Sequence, residues 1–189
     1  MRNVMRRITF GALGAGMVVA MAAGATTAAA SASVAAPHSA TAAHPDGYLN
    51  WPVVQYGDHG IRVRTIQYLL DQRGANLIIT GAFGSATKAA VKAFQWRNHL
   101  QVDGKVGNKT WPRLVITVRR GSPFRDANRA VQDQLRDGYG YHFVVVNGHF
   151  GLKTEIAVRA FQHRFRILSD GIVGLGTWNT LVKFDPKWA

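Results

Sequence analysis

Apolar residues along most of this chain recur every three or four positions, which is the spacing of one face of an α-helix. In the first such stretch the apolar positions are Val63, Ile66, Leu69 and Leu70. The pattern predicts a helix that begins near Ile61 and ends at Gly74, with Asp58 in the preceding turn as its candidate N-cap. A later stretch follows the same pattern, because Val131 and Leu135 share a face and Gly138 ends the run.

A longer apolar stripe follows Ser85, the predicted N-cap of a helix that ends near His99. Its inward positions are Thr87, Ala90, Val91 and Phe94, and those of a second such helix are Thr154, Ala157, Val158, Phe161 and Phe165. Small residues such as Ala90 and Ala93 permit close helix approach, so we expect this helix at the centre of its bundle. Two short third helices each place a tryptophan and a leucine on one face, and these residues are Trp111, Leu114, Trp178 and Leu181.

These elements occur twice because the sequence itself is duplicated. Residues 80–95 (TGAFGSATKAAVKAFQ) recur as residues 147–162 (NGHFGLKTEIAVRAFQ), at an offset of 67 residues, and the following segment recurs at the same offset. Upstream the offset is 65, so a two-residue length change lies between the first two motifs. We therefore predict an all-α protein of two tandem small three-helix bundle domains, at residues 48–118 and 119–189. The aromatic positions expected in the cores are Phe83, Phe94, Trp111, Phe150, Phe161 and Trp178.

The N-terminus has the order of a secretory signal peptide. Residues 1–7 carry three arginines and no acid, and an apolar Gly/Ala-rich run and a small-residue segment follow. We predict a signal peptide at residues 1–36 and a disordered leader at residues 37–47, so we expect the protein to be secreted and extracellular.

Charge and cysteine content add two constraints. The chain carries a formal charge of +13, and removal of residues 1–36 leaves about +10, spread over both repeats. This charge favours anionic partners such as wall polymers, acidic peptides, nucleic acid or membrane surfaces. The chain has no cysteine, so packing alone must hold each small module together.

The combined motif resembles the peptidoglycan-binding domain that is commonly appended to bacterial wall hydrolases. It runs G-x-x-G, V-x-x-I-Q-x-x-L, G-x-F-G-x-x-T-x-x-A-V-x-x-F-Q and D-G-x-V-G-x-x-T-W-x-x-L, and most of it appears in both repeats. The resemblance implies three-helix domains that attach a protein to peptidoglycan and leave catalysis to a neighbouring domain. We expect no such neighbour here, no cofactor, a monomer, and non-covalent attachment to peptidoglycan or to other anionic wall polymers.

Candidate ligand-binding residues are the repeated amides and the basic and aromatic groups outside the apolar stripes. In the first repeat they are Arg64, Gln67, Tyr68, Gln95, Trp96 and Arg97, and in the second Arg129, Gln132, Gln162, His163 and Arg164. Guanidinium groups bind the carboxylates of wall peptides through paired hydrogen bonds, and aromatic faces stack on sugar or peptide. The glutamines have an equally plausible role in tying down loop backbone.

Three other functions stay open as alternatives: a wall hydrolase, an accessory protein or inhibitor of one acting in trans, and a secreted nucleic-acid or polyanion binder. Glycoside hydrolysis ordinarily needs two carboxylates across the scissile bond, but the only glutamate, Glu155, lies on a polar helix face beside Arg159. The aspartates Asp103 and Asp170 are turn residues, and His142 and His149 make a pair without a third zinc ligand. Catalysis is therefore not expected.

Overall fold

The computed structural model describes residues 49–183, and these residues form a helical protein, as expected. The helices are α1 (Ile61–Asp71), α2 (Ser85–Arg97), α3 (Trp111–Leu114), α4 (Arg125–Asp133), α5 (Leu152–Arg164) and α6 (Leu175–Lys183). A π-helical turn, Gln134–Gly138, continues α4. The signal peptide, the leader and residues 184–189 lie outside the described residues.

Each repeat contributes three helices, α1 to α3 and α4 to α6, around one contiguous apolar core. The six aromatic residues expected in the cores are buried, which confirms that prediction. The extra two residues of the second repeat lie between Gln132 and Gly148, the segment that contains the π-helical turn. An insertion there is accommodated without changing the helices that carry the core.

An extended segment precedes the first helix of each repeat and lies against that repeat's tryptophan. The Trp111 indole N–H donates to Pro52 O, and the Trp178 indole N–H donates to Ile116 O, both at 2.8 Å. Val54 forms a β-bridge with Val106, as Val118 does with Val173. By these contacts residues 116–118 pack with the second repeat. The domain boundary at 118/119 remains a prediction from sequence.

A buried glutamine of α1, Gln67, holds the loop that follows this helix in place. The Gln67 side-chain oxygen accepts the N–H of Gly81 at 2.9 Å, and its amide nitrogen donates to Ala82 O and Thr87 Oγ1, both at 3.1 Å. Gly81 has a φ of 74°, a conformation that L side chains rarely adopt. One side chain thus joins a helix, a left-handed glycine and the start of the next helix.

The same arrangement occurs four times, because each repeat contains it twice. Gln95, Gln132 and Gln162 accept from the N–H of Gly104, Gly148 and Gly171, and they donate to Thr110, Thr154 and Thr177. The four loops share the pattern G-x-[FV]-G-x-x-T, whose third residue is buried and whose threonine begins the next helical turn. We call this glutamine, glycine and threonine arrangement the glutamine clasp.

Two predicted helix caps are wrong. The N-cap of α1 is Gly60 and that of α2 is Gly84, and neither N-cap makes a side-chain hydrogen bond. Asp58 instead accepts the backbone N–H of Gln55 at 2.8 Å and closes the turn that precedes α1. Ser85 is the first residue of α2, because the clasp already determines where that helix begins.

The two repeats pack together through their first helices, α1 against α4. Gln134 donates to the Thr65 hydroxyl at 2.8 Å, and the Gln72 side-chain oxygen accepts the backbone N–H of Asp126 at 2.9 Å, which caps α4. Arg62 of α1 donates to Val182 O at 2.6 Å near the end of α6. The described residues belong to one compact unit, within which the two repeats are in direct contact.

The clasp predicts a large loss of stability from a near-isosteric change. Gln67→Leu leaves the buried N–H of Gly81 and the Thr87 hydroxyl without their side-chain partner, and we expect the free energy of unfolding to fall by about 3 kcal/mol. Urea denaturation followed by circular dichroism measures this change. Gln101→Leu, at an exposed glutamine of the same repeat, is the matched control; equal midpoints for the two variants would contradict a structural role for the clasp.

Candidate ligand-binding surface

The four candidate glutamines lie inside the fold. Each has both polar ends of its amide hydrogen-bonded to a loop of its own repeat, and each is almost completely buried. A ligand could reach these amides only if the loops opened. The geometry therefore favours a structural role for Gln67, Gln95, Gln132 and Gln162 over the predicted ligand-binding role.

Three further candidates lie near the contact between the repeats. Arg64 of α1 makes a bidentate pair with Asp133 of α4, at 2.8 and 3.0 Å, and also reaches Asp137 at 3.1 Å. Arg129 pairs with Asp126 at 2.9 Å within α4. Burial raises the pKa of the half-buried Tyr68 phenol, and the nearby Asp133 carboxylate raises it further. Arg64 and Arg129 are thus both already paired with carboxylates of the protein.

Asp133 is the most buried acid of this contact, with a side chain only 7% exposed. Burial raises the pKa of Asp133 above its usual value, and the hydrogen bond from Arg64 opposes that rise. The same hydrogen bond raises the pKa of Arg64, so the guanidinium stays charged. The pair therefore joins the repeats as long as both partners are present.

The remaining candidates of the first repeat form an open surface at the end of α2. Trp96 is 70% exposed, and with Arg97, His99, Leu100 and Val102 it lines a hollow of about 560 Å³. The preceding residue, Gln95, is buried in a clasp, whereas Trp96 lies on the solvent side of α2. We call this surface the Trp96 hollow. It combines an indole face, two aliphatic side chains and a guanidinium.

The second repeat presents different chemistry at the equivalent positions. His163 and Arg164 are exposed at the end of α5, and the Arg164 guanidinium lies 5.7 Å from the centre of the Phe165 ring. Ser169 occupies the position of Val102. The second repeat therefore keeps an aliphatic residue, Ile167, at the position of Leu100, but it has a histidine and a serine in place of Trp96 and Val102.

A second hollow lies at the start of the second repeat, and sequence reasoning did not identify it as a site. It has a volume of about 500 Å³ and is lined by Thr117, residues 119–124 and Ile172. We call it the Arg119 hollow. The only sequence signal for it is the pair Arg119-Arg120 before a Gly-Ser-Pro turn.

The carboxylates that could serve catalysis are engaged in other contacts. Burial alone would raise the pKa of Asp103, but hydrogen bonds from the Lys105 N–H and the Gln95 amide bring it below its usual value, so Asp103 remains ionised. Glu155 accepts from Arg159 at 3.2 Å and lies 3.7 Å from Arg120.

Within residues 49–183 no three His, Cys, Asp or Glu side chains are grouped as metal ligands. In that same range no helix has the length and apolar character needed to cross a bilayer.

The sequence model of one protein family, described as a putative peptidoglycan binding domain, matches the chain twice, at residues 59–114 and 125–181. The chain belongs to this family. The two matches correspond to the two repeats, and they include all four glutamine clasps. Membership in this family indicates a cell-wall context, and the family's description names peptidoglycan as the ligand of such domains.

Known relatives share this region and extend well beyond it. The chain is 34% identical over 110 residues to the N-acetylmuramoyl-L-alanine amidase CwlM of Mycobacterium tuberculosis, a match that covers 52% of this chain and 27% of the amidase. It is 43% identical over 56 residues to an uncharacterised protein of Kitasatospora aureofaciens, covering 30% of this chain and 48% of that protein. The chain thus spans between a quarter and a half of the curated relatives it matches.

Two solved structures are also similar in sequence. A peptidoglycan-binding protein from Clostridioides difficile, in complex with glutamine hydroxamate, is 38% identical and has a TM-score of 0.33, covering 33% of this chain and 40% of that one. A Burkholderia AP3 phage endolysin is 31% identical and has a TM-score of 0.34, covering 57% of this chain and 36% of that one. The family assignment does not depend on these overlaps.

The Arg64–Asp133 pair predicts a stability loss that depends on pH. Arg64→Met keeps the aliphatic stem but leaves Asp133 buried without its partner, and we expect about 2 kcal/mol lower stability at neutral pH. The pKa of Asp133 is then raised further, so the folded state binds the proton more tightly than the unfolded state. Stability of the variant relative to wild type should therefore fall as the pH rises from about 4 to 7.

Urea unfolding at several pH values measures this difference. Arg136→Met removes an exposed guanidinium that lies 3.7 Å from Asp137, and it should change stability by less than about 0.5 kcal/mol at any pH. A difference between Arg64→Met and wild type that stays constant from acid to neutral pH would show that Asp133 is not the group responsible.

Proposed function

We propose that this chain is a non-catalytic protein that binds cell-wall peptidoglycan through the exposed surface of its two repeats. The observation that carries the proposal is a difference in burial between the residues of the shared motif and the residues around Trp96. The motif glutamines, glycines and threonines are buried in clasps, whereas Trp96, Arg97 and Val102 are exposed and form no part of the core. The exposed groups are therefore the ones available to a wall ligand.

The chemistry of the Trp96 hollow suits a wall fragment. An indole face packs well against the C–H face of a sugar or the aliphatic part of a peptide, and Leu100 and Val102 extend that apolar surface. Arg97 beside it can form paired hydrogen bonds with a carboxylate. An exposed tryptophan is also the residue type that most often dominates binding energy at interfaces.

The rigid contact between the repeats limits how they can act together. Two sites on one polymer raise retention through effective concentration only if both reach the polymer at once. Here α1 and α4 are joined by the Arg64–Asp133 pair and by Gln134 and Thr65, so the spacing of any two sites is set by the fold. We infer that the duplication presents two different surfaces at a constant separation.

We also propose that the protein is secreted and that it does not cleave the wall. Export is supported by the signal-like order of residues 1–36. Absence of catalysis is supported by the low pKa of Asp103, which is therefore not poised to donate a proton at neutral pH, and by the engagement of the Glu155 carboxylate with Arg159. The proposal is tested against three alternative functions: wall hydrolysis, inhibition of a wall hydrolase and nucleic-acid binding.

Trp96 provides the sharpest test. Trp96→Ala should weaken binding to purified sacculi roughly tenfold, because stacking of one indole contributes about 1–2 kcal/mol. Co-sedimentation over a range of sacculus concentrations gives the apparent affinity. Trp96→Phe should retain most of the binding, since the phenyl ring keeps a flat apolar face.

Two control variants make the result specific. Ile78→Ala removes an apolar side chain that is 83% exposed elsewhere in the same repeat and should leave retention unchanged. His163→Ala, at the equivalent position of the second repeat, should have a smaller effect than Trp96→Ala. If Trp96→Ala sediments with the wall as wild type does, the Trp96 hollow is not the binding surface.

A further inference from the structure

The Arg119 hollow is built on a turn that the two repeats share. In the first repeat Gly57 N–H donates to Phe83 O, and in the second Gly121 N–H donates to Phe150 O, at 3.1 and 3.0 Å. Asp58 accepts the N–H of Gln55 just as the Ser122 hydroxyl accepts the N–H of Arg119, at 2.8 and 2.9 Å. The same backbone therefore presents two different sets of side chains.

The charge of this turn is reversed between the repeats. The first repeat carries Gln55, Tyr56 and Asp58, and the ammonium of Lys88 lies 5.5 Å from the centre of the Tyr56 ring. The second carries Arg119, Arg120 and Ser122 at the equivalent positions. The shared turn thus changes from one negative charge to two positive charges while its hydrogen bonds are kept.

The two arginines are only weakly paired within the protein. Arg120 Nη1 lies 3.7 Å from Glu155, and that carboxylate is held more closely by Arg159, at 3.2 Å. Among residues 49–183 no acidic side chain is paired with Arg119, and the Arg120 side chain is 62% exposed. At least one guanidinium therefore remains available to an anion from outside.

The hollow also has apolar lining residues. Pro123, Phe124 and Ile172 line it together with the arginines, Thr117 and Ser122, and Phe124 is 39% exposed. An inorganic anion or a sugar phosphate would gain nothing from these groups, whereas a carboxylate attached to a small aliphatic residue would contact both parts. The turn is hydrogen-bonded at both ends, so little conformational freedom is lost on binding.

We propose that the Arg119 hollow is a binding site, present only in the second repeat, for a peptide carboxylate that is flanked by a small aliphatic side chain. The assignment of that carboxylate to a wall peptide rests on the proposed function, but the site itself does not. Arg119 and Arg120 supply the paired hydrogen bonds, and Phe124, Pro123 and Ile172 contact the aliphatic group. The Trp96 hollow and the Arg119 hollow then engage different parts of one wall.

The experiment is an NMR titration of the full chain at low salt with N-acetyl-alanyl-alanine, whose C-terminus is a free carboxylate. We expect shifts of the Gly121 and Ser122 amides and a dissociation constant on the order of millimolar, as befits a small ligand at an exposed site. The same peptide with a C-terminal amide should bind at least tenfold more weakly. Equal binding of acid and amide would overturn the proposal.

Three variants test the residues. Arg119→Ala with Arg120→Ala should weaken binding of the acid at least tenfold. Ser122→Asp reproduces the residue of the first repeat, so it can keep the turn while adding a negative charge, and it should also weaken binding. Lys92→Ala with Lys153→Ala removes two exposed positive charges elsewhere and should leave binding unchanged. An equal loss in this control would show a general charge effect and would overturn the site.

Two further arms separate the possible failures. If inorganic phosphate competes as well as the peptide acid, the hollow is an anion site without peptide specificity and the proposal fails. If the peptide acid binds as expected but wild-type protein does not sediment with sacculi, the site stands and the proposed function fails. If wild type sediments but no peptide shifts the Gly121 and Ser122 amides, this inference fails and wall binding through the Trp96 hollow stands.

Discussion

The buried glutamine clasp is the interaction on which the rest of this structure depends. A small module without disulfides has little core, and its loops contain glycines with positive φ that no helix or sheet can hold. The clasp meets this need by giving each loop three or more hydrogen bonds from one side chain, in a position from which water is excluded. The clasp occurs four times, so the two repeats share one backbone design.

The motif residues are buried in the clasps, so the positions available for ligand binding are exposed positions outside the motif. Trp96 lies on the solvent side of α2, next to the buried Gln95, and Arg119 and Arg120 lie on a turn whose hydrogen bonds are supplied by Ser122 and Gly121. The corresponding positions in the other repeat are His163, Gln55 and Tyr56. The duplication has thus preserved the scaffold and allowed the two exposed surfaces to diverge.

The sequence predicted the six helices, the two repeats and the buried aromatics correctly. The spacing of apolar residues and the repetition of the motif both indicate directly which positions face a core. It did not distinguish the two roles of glutamine, since an amide that ties a loop and one that binds a ligand look alike until burial is known. It did not pair Arg64 with Asp133, because 69 residues separate them and only the packing of α1 on α4 brings them together. The caps at Asp58 and Ser85 were wrong because Gly60 and Gly84 occupy the N-cap positions, and Asp58 closes the turn before α1 instead.

The central claim is that the protein holds the wall through its exterior and leaves it intact. It is tested most directly by mixing the full chain with purified sacculi across a range of salt concentrations, while the turbidity of the suspension is followed in parallel. The account predicts that the protein pellets with the sacculi at low salt, is partly released as salt screens its basic surface, and leaves the turbidity unchanged. Protein that stays in the supernatant at every ionic strength, or a suspension that clears, would contradict it.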